Sequence, residues 1–144
     1  MTEHPPLTVQ QVMRVHVPTL HPGSVLRDAL DKIHLYQVTA LPVVDDDRRV
    51  VGIVSRSEVL LHALEGAPAS LAEGAASRAE DPVAGWMSPV TVCAEPGEPA
   101  SAAGLRMLGA ATETVPVVSE GRMVGTLCLL DILQAMLAEP SLRP

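Results

Sequence analysis

The sequence predicts an α+β fold made of two copies of one small β-α-β-β-α unit. Two observations predict it: the chain repeats itself, and each copy shows the same order of helix-type and strand-type patterns. A third observation sets the kind of core. Hydrophobic residues make up 47% of the 144 residues and aromatic residues 1%, with no Phe. The core must therefore consist of Val, Leu, Ile, Ala and Met side chains.

The repeat has a nearly constant spacing. In the first half of each copy, residues match at a shift of 74 positions: Met13 with Met87, Pro22 with Pro96, Gly23 with Gly97, Ala29 with Ala103, and Pro42 with Pro116. The first copy's turn is one residue longer, so the shift then becomes 73: Arg49 with Arg122, Val51 with Val124, Gly52 with Gly125, and Leu60 with Leu133. One unit of this size cannot bury its own apolar face, so the two copies are expected to pack together.

A helix is predicted near the start of each copy. Ser24 is a suitable N-cap for the first, whose apolar positions have helical spacing; they are Leu26, Ala29, Leu30 and Ile33. In the second copy, Pro99 suits the first helical turn.

A hairpin and a second helix follow in each copy. Residues 41–44 and 50–54 are apolar strands joined by the acidic turn 45–47, and the second copy turns at 119–121, where Gly121 tolerates a positive φ. The final helices are predicted from their apolar spacing; those positions are Val59, Leu60 and Ala63, then Ile132, Leu133, Met136 and Leu137.

These elements give the predicted boundaries. The first repeat spans residues 8–64 and the second spans residues 81–138. Residues 65–80 form a linker rich in Ala, Gly, Ser and Glu. Ser70 and Glu73 make a capping-box pattern, so a short helix there and a flexible linker are both open.

Charge and cysteine content narrow the function classes. The formal net charge is −7 and Lys32 is the single lysine, which argues against nucleic-acid binding. No apolar run approaches the roughly 18 residues that would span a bilayer, so a membrane role is not expected. Cys93 and Cys128 do not form a close pair in the sequence. We expect a cytoplasmic protein with two reduced thiols.

Four segments carry a family resemblance. "LPVVDDDRRVVGIVSRSEVL" and "VPVVSEGRMVGTLCLLDIL" resemble the hairpin and second helix of a cystathionine-beta-synthase (CBS) domain. "VMRVHVPTLHPGSVLRDAL" and "WMSPVTVCAEPGEPASAAGL" resemble its first strand and first helix. The resemblance implies a Bateman module, in which two CBS repeats pack with pseudo-twofold symmetry and form two clefts.

The resemblance also implies a function. Such modules often form dimers and bind adenine nucleotides (AMP, ADP, ATP) or S-adenosylmethionine. We therefore expect a regulatory, non-enzymatic module that couples ligand binding to a homodimer or partner interface, with the regulated protein unknown. The alternative is a structural dimerisation module with vestigial clefts and no nucleotide ligand.

The family binds ribose through Thr or Ser, two residues, and then Asp, at the start of the second helix. The first copy has Ser55 and Glu58 there, and Ser-x-x-Glu is itself a capping box, so we favour capping for Glu58. The second copy has Cys128 and Asp131. Cys is a poor N-cap, so we favour a ribose contact for Asp131, although the helix dipole alone also accounts for an acid at this position.

In this family, each cleft combines the acid of one repeat with strand residues of the other. The preferred ligand-binding cleft is expected to contain Asp131, Cys128, Leu130, Val15, Val38, Thr39 and Ala40. The second, weaker cleft is expected to contain Ser55, Ser57, Glu58, Pro89, Thr112, Glu113 and Thr114.

Phosphate recognition is the weak point of the resemblance. Many members have a basic residue where this chain has Glu113, an acid that would repel phosphate. Neither cleft has Arg, Lys or His at the matching position, so Arg56, His62 and Arg106 on nearby helices are the possible substitutes.

Catalytic and metal motifs are missing from the sequence. None of the five histidines has zinc-hydrolase spacing, and no P-loop or nucleophile elbow is present. We expect neither a metal nor a cofactor. The cysteines are expected to be small buried residues, with a lowered pKa and redox sensitivity at Cys128 as an alternative.

Overall fold

The computed structural model describes residues 6–65 and 78–138, and the chain divides into two compact units. The outer unit contains Met1–Val17 and Thr91–Pro144, and the middle unit contains Pro18–Val90. The predicted linker helix at Ser70 and Glu73 lies outside the described residues. Each unit therefore contains most of one sequence repeat and the first segment of the other.

The described elements are, in chain order, α1 (Val9–Val12), α2 (Leu26–Tyr36), β1 (Ala40–Val44), β2 (Val50–Ser55), α3 (Arg56–Leu64), a 3₁₀ turn (Val83–Gly85), α4 (Ala100–Gly109), β3 (Thr114–Ser119), β4 (Arg122–Cys128) and α5 (Leu129–Ala138). The predicted α+β class and the order helix, hairpin, helix in each copy are confirmed. Within these described residues, no helix is long and apolar enough to cross a membrane.

Two antiparallel hairpins form the sheets. β1 pairs with β2 and β3 pairs with β4, with a register irregularity at Val43/Val44 and at the matching Val117/Val118. The second turn has positive φ at Glu120 and Gly121, which matches the twist of a two-residue hairpin loop. The longer first turn is held by the Asp45 carboxylate, which accepts the N–H groups of residues 47 and 49 at 2.9 Å each.

The helix start near Ser24 differs from the prediction. The N-cap residue of α2 is Val25, whose N–H donates to the Asp28 carboxylate at 3.0 Å. Ser24 Oγ instead accepts the N–H of His21 at 3.0 Å, inside the preceding turn. A carboxylate in the first helical turn has replaced the expected hydroxyl cap.

The buried cores of the two units match residue by residue. The middle unit buries Leu20, Leu26, Ala29, Ile33, Leu41, Val43, Val54, Val59 and Val83. The outer unit buries Ala94, Ala100, Ala103, Met107, Val115, Val117, Leu127, Ile132 and Val9. In that order, every pair is related by the sequence shift of 74 or 73. The repeat therefore specifies two equivalent cores.

The pair Val9 and Val83 shows an exchange of segments. Val9 belongs to the first repeat but is buried in the core of the outer unit, and Val83 belongs to the second repeat but is buried in the middle unit. We call residues 8–14 and 82–88 the crossing segments. Each crossing segment adds a buried valine to the core formed by the hairpin and helices of the other repeat.

Backbone hydrogen bonds fix both crossing segments. Arg14 N–H donates to the Thr126 carbonyl and Thr126 N–H donates to the Arg14 carbonyl, both at 2.9 Å. Ile53 and Ser88 make the same reciprocal pair at 2.9 and 3.0 Å. The predicted first strand of each copy is thus reduced to single bridges, because the chain passes from one unit to the other at Val17/Pro18 and at Val90/Thr91.

Glycine is required where the crossing segments meet the hairpins. A Cβ added at Gly125 would overlap the carbonyl oxygen of Arg14, and a Cβ added at Gly52 would lie 2.5 Å from the Met87 sulfur. The matched glycines of the two β strands therefore allow the close backbone approach.

Gly125→Ala should lower the free energy of unfolding by about 1–3 kcal/mol, because the methyl group would push against fixed backbone rather than a flexible side chain. Gly109→Ala, at the end of α4 with no atom within 4 Å of the new Cβ, is the control. It should be neutral or stabilising, by up to about 1 kcal/mol. Urea denaturation of both variants measures the difference. Equal stabilities would show that the crossing segment tolerates a side chain at this position.

Candidate functional site

Each unit places one carboxylate in the first turn of its second helix. Glu58 lies in the first turn of α3 and Asp131 lies in the first turn of α5, at positions related by the repeat. The backbone N–H groups at a helix N-terminus favour negative charge. The two acids therefore lie in equivalent places, but their partners differ.

Asp131 forms a side-on ion pair with Arg14 of the crossing segment. Arg14 Nε donates to Asp131 Oδ2 at 2.7 Å, and Nη2 donates to Oδ1 at 3.1 Å. The Asp131 side chain is 20% exposed and that of Arg14 is 50% exposed. The hydrogen bond to Asp131 raises the pKa of Arg14 above its ordinary value. Both carboxylate oxygens thus have a fixed orientation.

Glu58 is a capping residue, as the sequence predicts. Its backbone N–H donates to Ser55 Oγ and its Oε1 accepts the N–H of Ser55, both at 3.1 Å. Its second oxygen, Oε2, accepts a hydrogen bond from the Ser88 hydroxyl. Each carboxylate oxygen of Glu58 therefore already has a partner within its own unit.

Arg14 and Ser88 occupy equivalent positions. They are 74 residues apart, and each is the crossing-segment residue that pairs with a hairpin strand and contacts the helix acid. The exchange of segments therefore places Arg14 against Asp131 and Ser88 against Glu58. Sequence reasoning missed Arg14. The signal was present in its position directly before Val15, which was predicted to line the cleft, and in its match to Ser88.

Two three-residue segments, 38–40 and 112–114, are predicted to complete the clefts. Each lies beside the second helix of its own copy, α3 or α5. The Thr39 carbonyl accepts the N–H of Arg56 at 2.9 Å, and the Glu113 carbonyl accepts the N–H of Leu129 at 2.9 Å. Thr39 thus lies in the unit of Glu58, and Glu113 in the unit of Asp131. The predicted pairing of these segments with the acid of the other copy remains a prediction.

The other predicted site residues range from exposed to buried, with Thr114 at 7% exposure the most buried. In the outer unit, Val15 is 55% and Leu130 is 65% exposed, and Thr112 Oγ1 donates to the Thr114 carbonyl at 3.1 Å. In the middle unit, Ser57 and Pro89 are exposed, and Val38 and Ala40 are partly buried.

Cys128 does not have the lowered pKa that its place before a helix suggested. Burial is the largest influence and raises the pKa of the thiol, while the Thr114 hydroxyl, which donates to Cys128 Sγ at 3.8 Å, and the charge of Arg14 act in the opposite direction. Burial raises the pKa of Cys93 as well. Neither thiol therefore has the lowered pKa that the redox alternative assumes. Cys93 is exposed and Cys128 is only partly buried, so the expectation of two buried cysteines is wrong.

Two of the three proposed substitute cations have structural partners. Arg106 binds Glu98 through Nη1 at 2.6 Å and lowers the pKa of that acid. His62 contacts Asp81 at 3.0 Å and stacks on Trp86 with ring centroids 4.6 Å apart. Arg56 is exposed. Over residues 6–65 and 78–138, no group of three or more His, Cys, Asp or Glu side chains is arranged to hold a metal ion.

Part of the sequence matches a curated protein. A 52-residue stretch is 40% identical to the choline transport ATP-binding protein OpuBA of Bacillus subtilis (strain 168), covering 36% of this chain and 14% of that protein. The chain therefore spans only a small part of this curated relative.

Solved structures match over most of the chain. CBSX2, a CBS-pair protein from Arabidopsis thaliana, is 26% identical with a TM-score of 0.77, covering 93% of this chain and 96% of that one. The structure of CBSX2 in complex with AMP is 25% identical with a TM-score of 0.75, covering 91% and 96%. The CBS domains of a transcriptional regulator from Streptococcus pneumoniae share the fold at 20% identity, with a TM-score of 0.72, covering 89% and 98%.

The family model named CBS domain matches the chain twice, at residues 9–65 and 83–138. These two matches cover most of the sequence and coincide with the two copies of the repeat. The chain belongs to the CBS domain family, as a tandem CBS pair.

Proposed function

We propose that this CBS pair is a regulatory module that binds an adenosine-containing ligand, such as AMP, ADP, ATP or S-adenosylmethionine, through Asp131. The observation that carries the proposal is the Asp131 carboxylate, held in a fixed orientation by Arg14 at the N-terminus of α5. We propose that the module regulates another protein and is not itself an enzyme.

The chemistry of Asp131 suits a ribose. A carboxylate has about four lone-pair directions, of which the guanidinium takes two. The side chain remains 20% exposed, so the other directions can accept both hydroxyls of a vicinal diol. Because Arg14 fixes the carboxylate before any ligand arrives, little side-chain entropy is lost on binding.

The structural relative with AMP supports the ligand class. CBSX2 has been solved in complex with AMP, and it matches this chain over 91% of its length at 25% identity. That complex describes CBSX2, and its ligand is transferred here as part of the proposal.

One set of observations favours a second candidate, a structural module that joins two copies of the chain. α2 and α3 enclose an apolar groove of about 390 Å³, lined mainly by Leu26, Leu30, Val59, Leu60, Ala63 and Leu64. Leu105 and Met136 of the outer unit are 71% and 45% exposed. Apolar faces of this kind mark interaction surfaces, and we propose that they hold a homodimer together.

Asp131→Ala should weaken AMP binding by roughly one to two powers of ten, because a hydrogen bond to a charged group contributes about 1.5–3 kcal/mol. Glu58→Ala should leave AMP affinity nearly unchanged, since its oxygens already bind Ser55 and Ser88, and should instead cost about 1 kcal/mol of stability through the lost cap. Titration calorimetry and urea denaturation measure the two effects.

Circular dichroism on both variants provides the folding control. Loss of AMP binding in Glu58→Ala with retention in Asp131→Ala would reverse the assignment of the site. If AMP, ADP, ATP and S-adenosylmethionine all fail to raise the melting temperature of the wild type, the structural module becomes the better proposal.

The wild type should scatter light with a mass near twice 15.2 kDa at tens of micromolar. Leu64→Glu should shift the protein toward monomer, because it places a charge in the apolar groove. Leu35→Glu is the control, since Leu35 is 71% exposed on α2 and does not line the groove. A monomeric wild type, or equal effects of the two variants, would rule out this dimer surface.

A further inference from the structure

We infer that Arg14 is a specificity-determining residue that selects ribose-containing ligands bearing an anionic group, such as a phosphate, over their neutral counterparts. The inference rests on the proposed function, because it assigns the ribose to Asp131. It goes further in naming the group that distinguishes a nucleotide from a nucleoside.

The geometry of the ion pair leaves a donor available. Arg14 uses Nε and Nη2 on the carboxylate, and the planar guanidinium directs its remaining amino group, Nη1, away from Asp131. Within residues 6–65 and 78–138, Nη1 makes no hydrogen bond, and the side chain is 50% exposed. A half-exposed arginine with one unused amino group therefore lies directly beside the proposed ribose carboxylate.

Arg14 is held at both its backbone and its guanidinium. The backbone makes two hydrogen bonds to Thr126, and the guanidinium makes two hydrogen bonds to Asp131. An anion that reaches Nη1 therefore does not have to order a mobile arginine side chain, which is the usual entropic cost of using one.

The charge of the ion pair is more favourable for binding an anion than the charge of Asp131 alone would be. Asp131 alone would repel a phosphate attached to the ribose that it binds. Paired with Arg14, the two side chains carry no net charge, and the cation is the more exposed partner of the pair. Arginine is well suited to phosphate because its donors match the oxygen spacing.

The other unit provides an internal comparison. At the position equivalent to Arg14, Ser88 contacts Glu58 through a neutral hydroxyl. Serine adds no positive charge, so the Glu58 side gains no anion-binding edge from its crossing segment. The substitution Arg14→Ser therefore installs a residue that the same backbone position already accepts in the other copy.

The test compares AMP with adenosine, which differ by one phosphate, on the wild type and on Arg14→Ser. The wild type should bind AMP about tenfold more tightly than adenosine, as expected for one charge-assisted contact. In Arg14→Ser, the AMP affinity should fall to that of adenosine, and the adenosine affinity should change by less than about threefold. Arg122→Ser, which removes an exposed arginine at the other end of β4, should keep the tenfold preference.

Equal losses of AMP and adenosine in Arg14→Ser would show that Arg14 only positions Asp131, and would overturn the inference. So would a wild type without preference for AMP. If neither compound binds the wild type, the proposed function itself fails.

Should Arg14→Ser not fold, the salt dependence of the wild type decides. Raising NaCl from about 50 to about 500 mM should weaken AMP binding and leave adenosine binding unchanged. An AMP affinity that does not depend on salt would overturn the inference.

Discussion

Two reciprocal backbone pairs, Arg14 with Thr126 and Ser88 with Ile53, are the interactions on which the rest of the structure depends. Each attaches the first segment of one repeat to the hairpin of the other, so that Val9 and Val83 complete cores that their own repeats do not form. Gly125 and Gly52 make the approach possible. Neither unit is built from one repeat alone, which gives a physical reason for finding the domain as a pair.

The same pairing connects the fold to the proposed site. Because the backbone places residues 14 and 88 against the helix acids, the side chain at each of these positions sets the chemistry of that acid. Ser88 completes a capping network around Glu58, whereas Arg14 orients Asp131 and leaves it partly exposed. Two copies of one backbone have thus become a structural helix cap and a candidate ligand site.

Much of the fold could be predicted from the sequence, because the repeat shift pairs all nine residues of each core and the hairpin glycines match. The exchange of segments could not be predicted from the sequence. The repeat shift has the same value whether a segment packs on its own copy or on the other copy. Arg14 was missed for that reason, because its partner is 117 residues away. Local rules also erred at Ser24, because a carboxylate caps the helix there, and at Cys128, because burial raises the pKa of its thiol.

Native-state hydrogen exchange at the crossing segments tests the central claim most directly. If these pairs complete the two cores, the amides of Arg14, Thr126, Ser88 and Ile53 should exchange only through global unfolding, with the same free energy as the most protected amides of β2 and β4. Amides of Arg14 and Ser88 that exchange through low-energy local opening, while the hairpin ladders stay protected, would contradict it. The crossing segments would then be attachments to units that are already complete.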